Sequence, residues 1–204
     1  MLSNLRAGVG RLFAPLARGL LRIGVSPDAV TIGGTLGVVV AALWLFPLGY
    51  LFAGTMVCWF FAMSDAIDGL MARMSGRTGP WGAFLDSTLD RVADAAIFAG
   101  IILWLAGRGE DPVGAVLGLV CLILGSIVPY TRARAEGLGM TANVGIAERA
   151  DRLTAVLTAA GLVGLGVTPV LLTVVLGVLA VASAVTVVQR MMTVRRQSVQ
   201  AGQE

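Results

Sequence analysis

The chain has 204 residues, 57% of them hydrophobic and 13% charged, with a formal net charge of +3 and no histidine; its mean hydropathy is +0.87. Those proportions exclude an ordinary soluble domain and describe a polytopic membrane protein. All 15 basic residues are arginines scattered along the chain rather than gathered in one run, so no nucleic acid is expected as a partner.

Residues 3–22 carry Arg6, Arg11, Arg18 and Arg22 among Leu, Val, Phe and Ala, with no acid before Asp28. This pattern predicts an interfacial amphipathic helix whose cations face membrane lipid phosphates while Leu12, Phe13, Leu16 and Leu20 enter the acyl boundary. An amphipathic core helix would read the same way. Because the arginines interrupt any continuous apolar run, no cleaved leader is expected.

Ser26 and Pro27 then mark a helix start as cap and first residue. An apolar run over 29–45 predicts the first span, ended by Pro47 and Gly49. The second covers 52–73 and is broken by 76–82, which holds three Gly and Pro80. The third covers 83–105, with a turn at 107–112. The fourth covers 113–130 and continues as a polar helical extension through Glu136. A loop at 137–146 precedes a fifth span over 149–165, a turn at 166–169 and a sixth span over 170–188. The expectation is an all-α membrane protein of six transmembrane helices. It forms a single domain over 1–204, with a juxtamembrane helix at 3–22, a six-span bundle at 26–196 and a polar tail at 197–204.

Charge placement supports that count. Six spans put both termini and the connections after spans two and four on one side, with Arg6, Arg11, Arg18, Arg22, Arg73, Arg77, Arg132, Arg134, Arg149, Arg152, Arg190, Arg195 and Arg196. The other side holds only Arg108, so both termini are expected in the cytoplasm and the protein in the cell membrane. Cys58 and Cys121 fall in apolar runs, where thiols behave as small hydrophobes, and imply no disulfide framework. The spacings Gly33-x3-Gly37 and Gly114-x3-Gly118 permit close helix approach, within the chain by default.

The chemistry-bearing residues lie between 65 and 90. Asp65 and Asp68 are spaced i, i+3, and Asp86 and Asp90 i, i+4, so each pair shares one face of its helix and the four converge if the two helices pack side by side. Ionised groups in hydrocarbon cost roughly 2.5 to 3.5 kcal/mol each, so these acids require a compensating charge or a polar cavity. A divalent cation would compensate, and carboxylate-only ligation suits Mg²⁺, or Mn²⁺, rather than zinc. Two other readings stand beside this one: ion pairing with Arg73, Arg77 and Arg91 at a membrane edge, and a permeation site in a divalent-cation transporter. A cation pathway has no use for Gly69, Ala72 and Gly82, and Arg73 would repel the ion. Asp65 precedes Arg73 by about 12 Å of helix, which puts the site near lipid-phosphate depth in the cytoplasmic half.

The run Asp65-x2-Asp68-Gly69-x2-Ala72-Arg73-x8-Gly82-x3-Asp86-x3-Asp90 resembles the signature of the CDP-alcohol phosphotransferases. That resemblance implies an enzyme, with Asp65, Asp68 and Asp86 as main metal ligands, Asp90 able to contribute, and Asp90 as the base that takes the acceptor's proton. It also assigns Gly69, Ala72, Arg73 and Gly82 to the cytidine diphosphate moiety, with Asp28 and Thr31 as further nucleotide contacts. Taken alone, Asp28 and Thr31 read as ordinary helix-start residues. Asp94 lies outside the signature and is expected to pair with an arginine.

Stretches such as L-L-R-I-G-V-S-P-D-A-V-T and V-A-S-A-V-T-V-V-Q-R resemble the actinobacterial branch of this family that makes phosphatidylinositol phosphate. The branch implies transfer of a phosphatidyl group from CDP-diacylglycerol to inositol 1-phosphate, in a homodimer, with Arg132, Arg152 and Arg190 holding the acceptor phosphate. Arginine suits bidentate phosphate binding, although arginines at these span ends also serve as membrane anchors. Pro129 and Ala150 depart from the residues expected near that pocket. The nearest rival within the fold makes phosphatidylglycerophosphate from glycerol 3-phosphate.

Overall fold

The structure, a computed structural model, describes residues 13–76 and 79–201, so Arg6, Arg11, Leu12, Arg77 and the last residues of the tail lie outside it. Every regular element among the described residues is a helix. α1 occupies 13–22. There follow α2 (Pro27–Leu45), α3 (Leu51–Ala62), α4 (Ser64–Ser75), α5 (Pro80–Ala106), α6 (Pro112–Glu136), α7 (Arg149–Gly164) and α8 (Val170–Ala201).

Local chemistry accounts for the ends. The Ser26 hydroxyl accepts from the Ala29 N–H at 3.2 Å, with Pro27 opening α2. α4 stops at Gly76, whose φ of 66° lies in the left-handed region that glycine adopts without strain. Asp111 caps α6 by accepting from the Gly114 N–H at 2.8 Å, and it also accepts from the Thr173 hydroxyl of α8. Those two bonds hold the Asp111 carboxyl below the usual carboxylate range. The expected second span is two helices, α3 and α4, interrupted at Met63. Met63 keeps right-handed dihedrals and its N–H still reaches the Trp59 carbonyl at 3.2 Å, so the chain runs on in one direction. α8 outruns the expected end of the sixth span and continues to Ala201, with Gln197 bonded to the backbone of Thr141 in the loop ahead of α7.

Among the described residues, four stretches are long and apolar enough to cross a membrane: Pro27–Leu45, Leu51–Ser75, Pro112–Glu136 and Val170–Gln200. Only 28–35% of each span window is buried, and side chains such as Phe60 and Trp44 point outward at 70% and 65% exposure. An apolar surface of that extent is covered by lipid in a membrane protein. α5 is long enough to cross but carries Asp86, Asp90, Arg91 and Asp94 in its first half, and α7 has only 16 residues. In α1, Leu16 is exposed while Ala17 is buried.

The packing explains how the site is held. α2 lies against α3, α4 and α5, while α6 packs between α5 and α8, and α7 against α3 and α8. α4 and α5 make little direct contact, so α2 is the spacer that fixes their separation. Small residues set these distances. A Cβ on Gly100 of α5 would stand 2.2 Å from the Ala42 carbonyl oxygen of α2, and one on Gly164 of α7 would stand 2.3 Å from the Phe52 nitrogen of α3. Of the spacings read from sequence, Gly37 meets the Phe61 ring and Gly118 meets Ile102, while Gly33 faces open space.

Gly100→Ala should therefore lower the thermal unfolding midpoint in detergent, since forcing a methyl against backbone costs about 1–3 kcal/mol. Gly33→Ala should leave it unchanged or raise it, by up to about 1 kcal/mol of helix propensity. Equal midpoints for the two variants would contradict this α2–α5 contact.

Candidate active site

Between the ends of α4 and α5, against the first turns of α2, lies a cleft of about 420 Å³. Its walls carry Asp28 and Thr31 from α2, Asp65, Asp68, Gly69, Ala72 and Arg73 from α4, and Gly82, Asp86 and Asp90 from α5. Helical spacing makes this arrangement local in each helix. Asp65, Asp68, Gly69 and Ala72 follow one face of α4, and Gly82, Asp86 and Asp90 repeat every fourth residue on α5.

Three carboxylates close on one another. Asp65, Asp68 and Asp86 each offer an oxygen lying within 4.8 Å of the others. Asp68 is 7% exposed and accepts from the Thr31 hydroxyl at 2.5 Å, which fixes its orientation and satisfies a buried anion. Hard oxygen donors alone at that separation fit a divalent cation such as Mg²⁺ or Mn²⁺.

Asp90 stands apart from that trio. Its Oδ1 takes the guanidinium of Arg149 at 2.9 Å, and the same guanidinium reaches Asp94 at 3.0 Å and Asp65 at 3.7 Å. Arg91 adds looser contacts to Asp94 at 3.6 Å and Asp90 at 3.8 Å. Arg149 opens α7 behind a reciprocal cap, in which Glu148 and Asp151 satisfy each other's backbone N–H. A cation at a helix N-terminus opposes the helix dipole, so Arg149 sits there because the acids of α4 and α5 hold it. Sequence reasoning placed Arg149 only within a basic cluster. Its position at the start of a helix, where a cation is out of place, was the available signal.

α8 moors the loop that leads to Arg149. The Thr186 hydroxyl accepts from the N–H groups of Ile146 and Ala147, Arg190 Nε donates to the Val144 carbonyl at 2.9 Å, and Gln197 pairs with the backbone of Thr141. The three anchors share a face of α8. Trp81 is a second residue that sequence did not single out: its indole N–H donates to Asp28 at 3.0 Å.

The three arginines expected at an acceptor phosphate do not line the cleft. Arg152 is 2% exposed and Arg190 6%, and both donate to backbone carbonyls of α6, Arg152 to Gly125 and Arg190 to Val128. The Gly125 carbonyl has no helical donor because residue 129 is proline, so the guanidinium of Arg152 takes that place at 3.4 Å. Arg132 lies one turn beyond Val128 and is exposed, paired with Glu136 at 2.9 Å. One stretch of α6 thus gathers all three.

A family model of the CDP-alcohol phosphatidyltransferases matches residues 24–147, a segment that includes the whole cleft apart from Arg149. The chain belongs to that family. It is 51% identical over 202 residues to a phosphatidylinositol phosphate synthase of Streptomyces avermitilis, covering 96% of this chain and 83% of that protein. The corresponding Cutibacterium acnes protein is 47% identical over 203 residues, covering 96% and 98%. The crystal structure of Mycobacterium tuberculosis phosphatidylinositol phosphate synthase with CDP-DAG bound superposes with a TM-score of 0.86 at 46% identity, covering 90% of this chain and 94% of that one. The same protein in complex with manganese and citrate also superposes at 0.86, covering 89% and 88%.

Membership makes this chain a transferase and sets the transporter reading aside. The fold itself does not require the small residues of the cleft. Among the described residues a Cβ on Gly82 would meet nothing within 4 Å, and one on Gly69 only the Arg73 guanidinium at 3.6 Å, so the bundle itself tolerates alanine at both. Gly82→Ala should keep the native unfolding midpoint yet raise the KM for the CDP-linked donor several-fold, because the added methyl takes space inside the cleft. An unchanged donor KM would show that the space is not used.

Proposed function

We propose that this chain transfers the phosphatidyl group of CDP-diacylglycerol to inositol 1-phosphate, giving phosphatidylinositol phosphate and CMP. The observation that carries the reading is the trio Asp65, Asp68 and Asp86, with oxygens within 4.8 Å, at the wall of a cleft that Gly69, Ala72 and Gly82 leave open. Relatives 44–51% identical over most of the chain bear the name phosphatidylinositol phosphate synthase, which supports inositol 1-phosphate over glycerol 3-phosphate.

In this reading Asp65, Asp68 and Asp86 hold a divalent cation, Mg²⁺ or Mn²⁺, whose charge neutralises the donor diphosphate. Thr31 holds Asp68 in its ligating orientation. Asp28, Gly69, Ala72, Arg73 and Gly82 receive the cytidine diphosphate, with Arg73 at its phosphates. Asp90 takes the proton of the acceptor hydroxyl: Oδ1 is anchored on Arg149 at 2.9 Å, while among the described residues Oδ2 has only the 3.8 Å contact with Arg91. The acceptor oxygen forms a bond to the phosphatidyl phosphorus, the bond from that phosphorus to the CMP oxygen breaks, and CMP leaves.

Arg132, Arg152 and Arg190 receive the acceptor phosphate. Both backbone contacts of the Arg152 fork are 3.4 Å long, at the weak limit for hydrogen bonds, so a phosphate offers it better partners. The protein is a homodimer in the plasma membrane, with α5 and α7 joining the four longer apolar stretches as spans. Both termini and the cleft face the cytoplasm. The concentration of arginine at that end, against Arg108 alone at the other, supports the orientation.

Purified protein given CDP-diacylglycerol, Mg²⁺ and each of inositol 1-phosphate, free inositol and glycerol 3-phosphate should turn over with inositol 1-phosphate, the lipid product being identified by mass. Arg152→Ala should raise the KM for that acceptor more than for the donor. A phosphatidylglycerophosphate product would replace this acceptor with its rival. Asp90→Asn should bind CDP-diacylglycerol normally and lose about 10²-fold or more in kcat, the usual worth of a positioned base; full turnover would remove Asp90 from that role.

A further inference from the structure

The first turns of α5 overhang the rest of the bundle. The helix begins at Pro80, yet its first buried residue is Ala93, about 20 Å of helix later. Among the described residues its start has no side-chain cap, and a Cβ on Gly79 or Gly82 would meet nothing within 4 Å. These same turns bring Gly82 to the wall of the cleft. One side-chain hydrogen bond among the described residues ties 80–89 to another helix, from the Trp81 indole N–H to Asp28 of α2 at 3.0 Å.

We propose that Trp81 is a positioning residue for the donor nucleotide. Its indole holds the Asp28 carboxylate at the edge of the cleft and straps the start of α5 to the start of α2, so that both walls are set before the cytidine diphosphate arrives. This rests on the reading of Asp28 as a nucleotide contact given above.

The chemistry of the pair suits that task. Asp28 stands in the first turn of α2, where the helix dipole favours a carboxylate, and an indole N–H given to a carboxylate makes a charge-assisted bond. A carboxylate at an open helix start has rotamers to lose when a ligand binds, and a donor from the neighbouring helix removes that cost in advance. Tryptophan can do this from the membrane interface. Its ring stays outside, 61% exposed beside Phe84 at a centroid distance of 6.1 Å, while the polar N–H turns to the acid. Further along, α2 and α5 touch again where Gly100 meets the Ala42 carbonyl. That contact sets their distance within the bundle, and Trp81 with Asp28 sets it at the cleft.

The test separates the donor bond from the ring. Trp81→Phe keeps an interfacial aromatic and removes only the N–H. Full-length protein in detergent, assayed with CDP-diacylglycerol, inositol 1-phosphate and Mg²⁺, should show a donor KM raised about three- to tenfold, the usual worth of one hydrogen bond. The kcat and the acceptor KM should stay near native. Asp28→Ala should raise the donor KM at least as far, and adding Trp81→Phe to it should change nothing more. Amide hydrogen exchange over 81–89 should quicken in Asp28→Ala, which keeps its tryptophan, and stay native over 93–106.

An unchanged donor KM in Trp81→Phe would overturn the proposal while leaving Asp28 its nucleotide role, provided Asp28→Ala still raises that KM. So would additive effects in the double variant, the result expected if the ring is a membrane anchor independent of Asp28. Native exchange over 81–89 in Asp28→Ala would overturn the strap even if Trp81→Phe does not fold. An unchanged donor KM in Asp28→Ala would remove both the nucleotide contact and the proposal built on it. Turnover with glycerol 3-phosphate in place of inositol 1-phosphate would replace the acceptor assignment alone, since the donor measurements can be made with either.

Discussion

Carboxylates set among apolar helices are the constraint around which this molecule is built. Each costs several kcal/mol unless something of opposite charge or a donated hydrogen bond meets it, and the fold supplies a different answer at each position. Thr31 donates to Asp68, Arg149 and Arg91 meet Asp90 and Asp94, and the remaining oxygens of Asp65, Asp68 and Asp86 are left facing one another. That last arrangement is unfavourable for a bare protein and favourable around a hard cation. The unmet part of the electrostatic cost is therefore where function lies.

The surrounding architecture serves to keep that cost localised. α2 is wedged against both α4 and α5, and the close contact of Gly100 with the Ala42 carbonyl fixes one side of the wedge. Because α4 and α5 do not close on each other, the two acidic faces border a cleft instead of a sealed interface. Glycine therefore plays two roles. At Gly100 and Gly164 it allows backbones to touch, whereas at Gly69 and Gly82 it leaves the wall of the cleft open.

A second polar layer lies on the α6, α7 and α8 side. Pro129 removes one backbone donor, the Gly125 carbonyl turns to Arg152, and Arg190 ties the preceding loop to α8 while reaching Val128. A residue that departs from expectation in the sequence thus acquires a structural partner. The mooring of that loop through Thr186, Arg190 and Gln197 holds the first residue of α7 against the acids of α4 and α5.

Much of this was legible from the amino-acid order, for a simple reason: along a helix, spacing is geometry. Asp65 with Asp68, and Asp86 with Asp90, had to share faces. The apolar runs had to become helices, and Ser26, Pro27, Gly76 and Pro80 had to punctuate them. Nothing local, however, tells Asp90 from Asp86, since both lie on one face of α5. Only the arrival of Arg149, 59 residues after Asp90 in the chain, gives Asp90 an arginine partner that Asp86 does not share among the described residues. Likewise Gly33 and Gly37 are equivalent in sequence, and only packing turns one outward and the other onto Phe61. Periodicity within a helix is written in the order of residues. Which helices meet, at what distance and with which charge between them, is decided by packing across the bundle, and that gives each acid its separate surroundings.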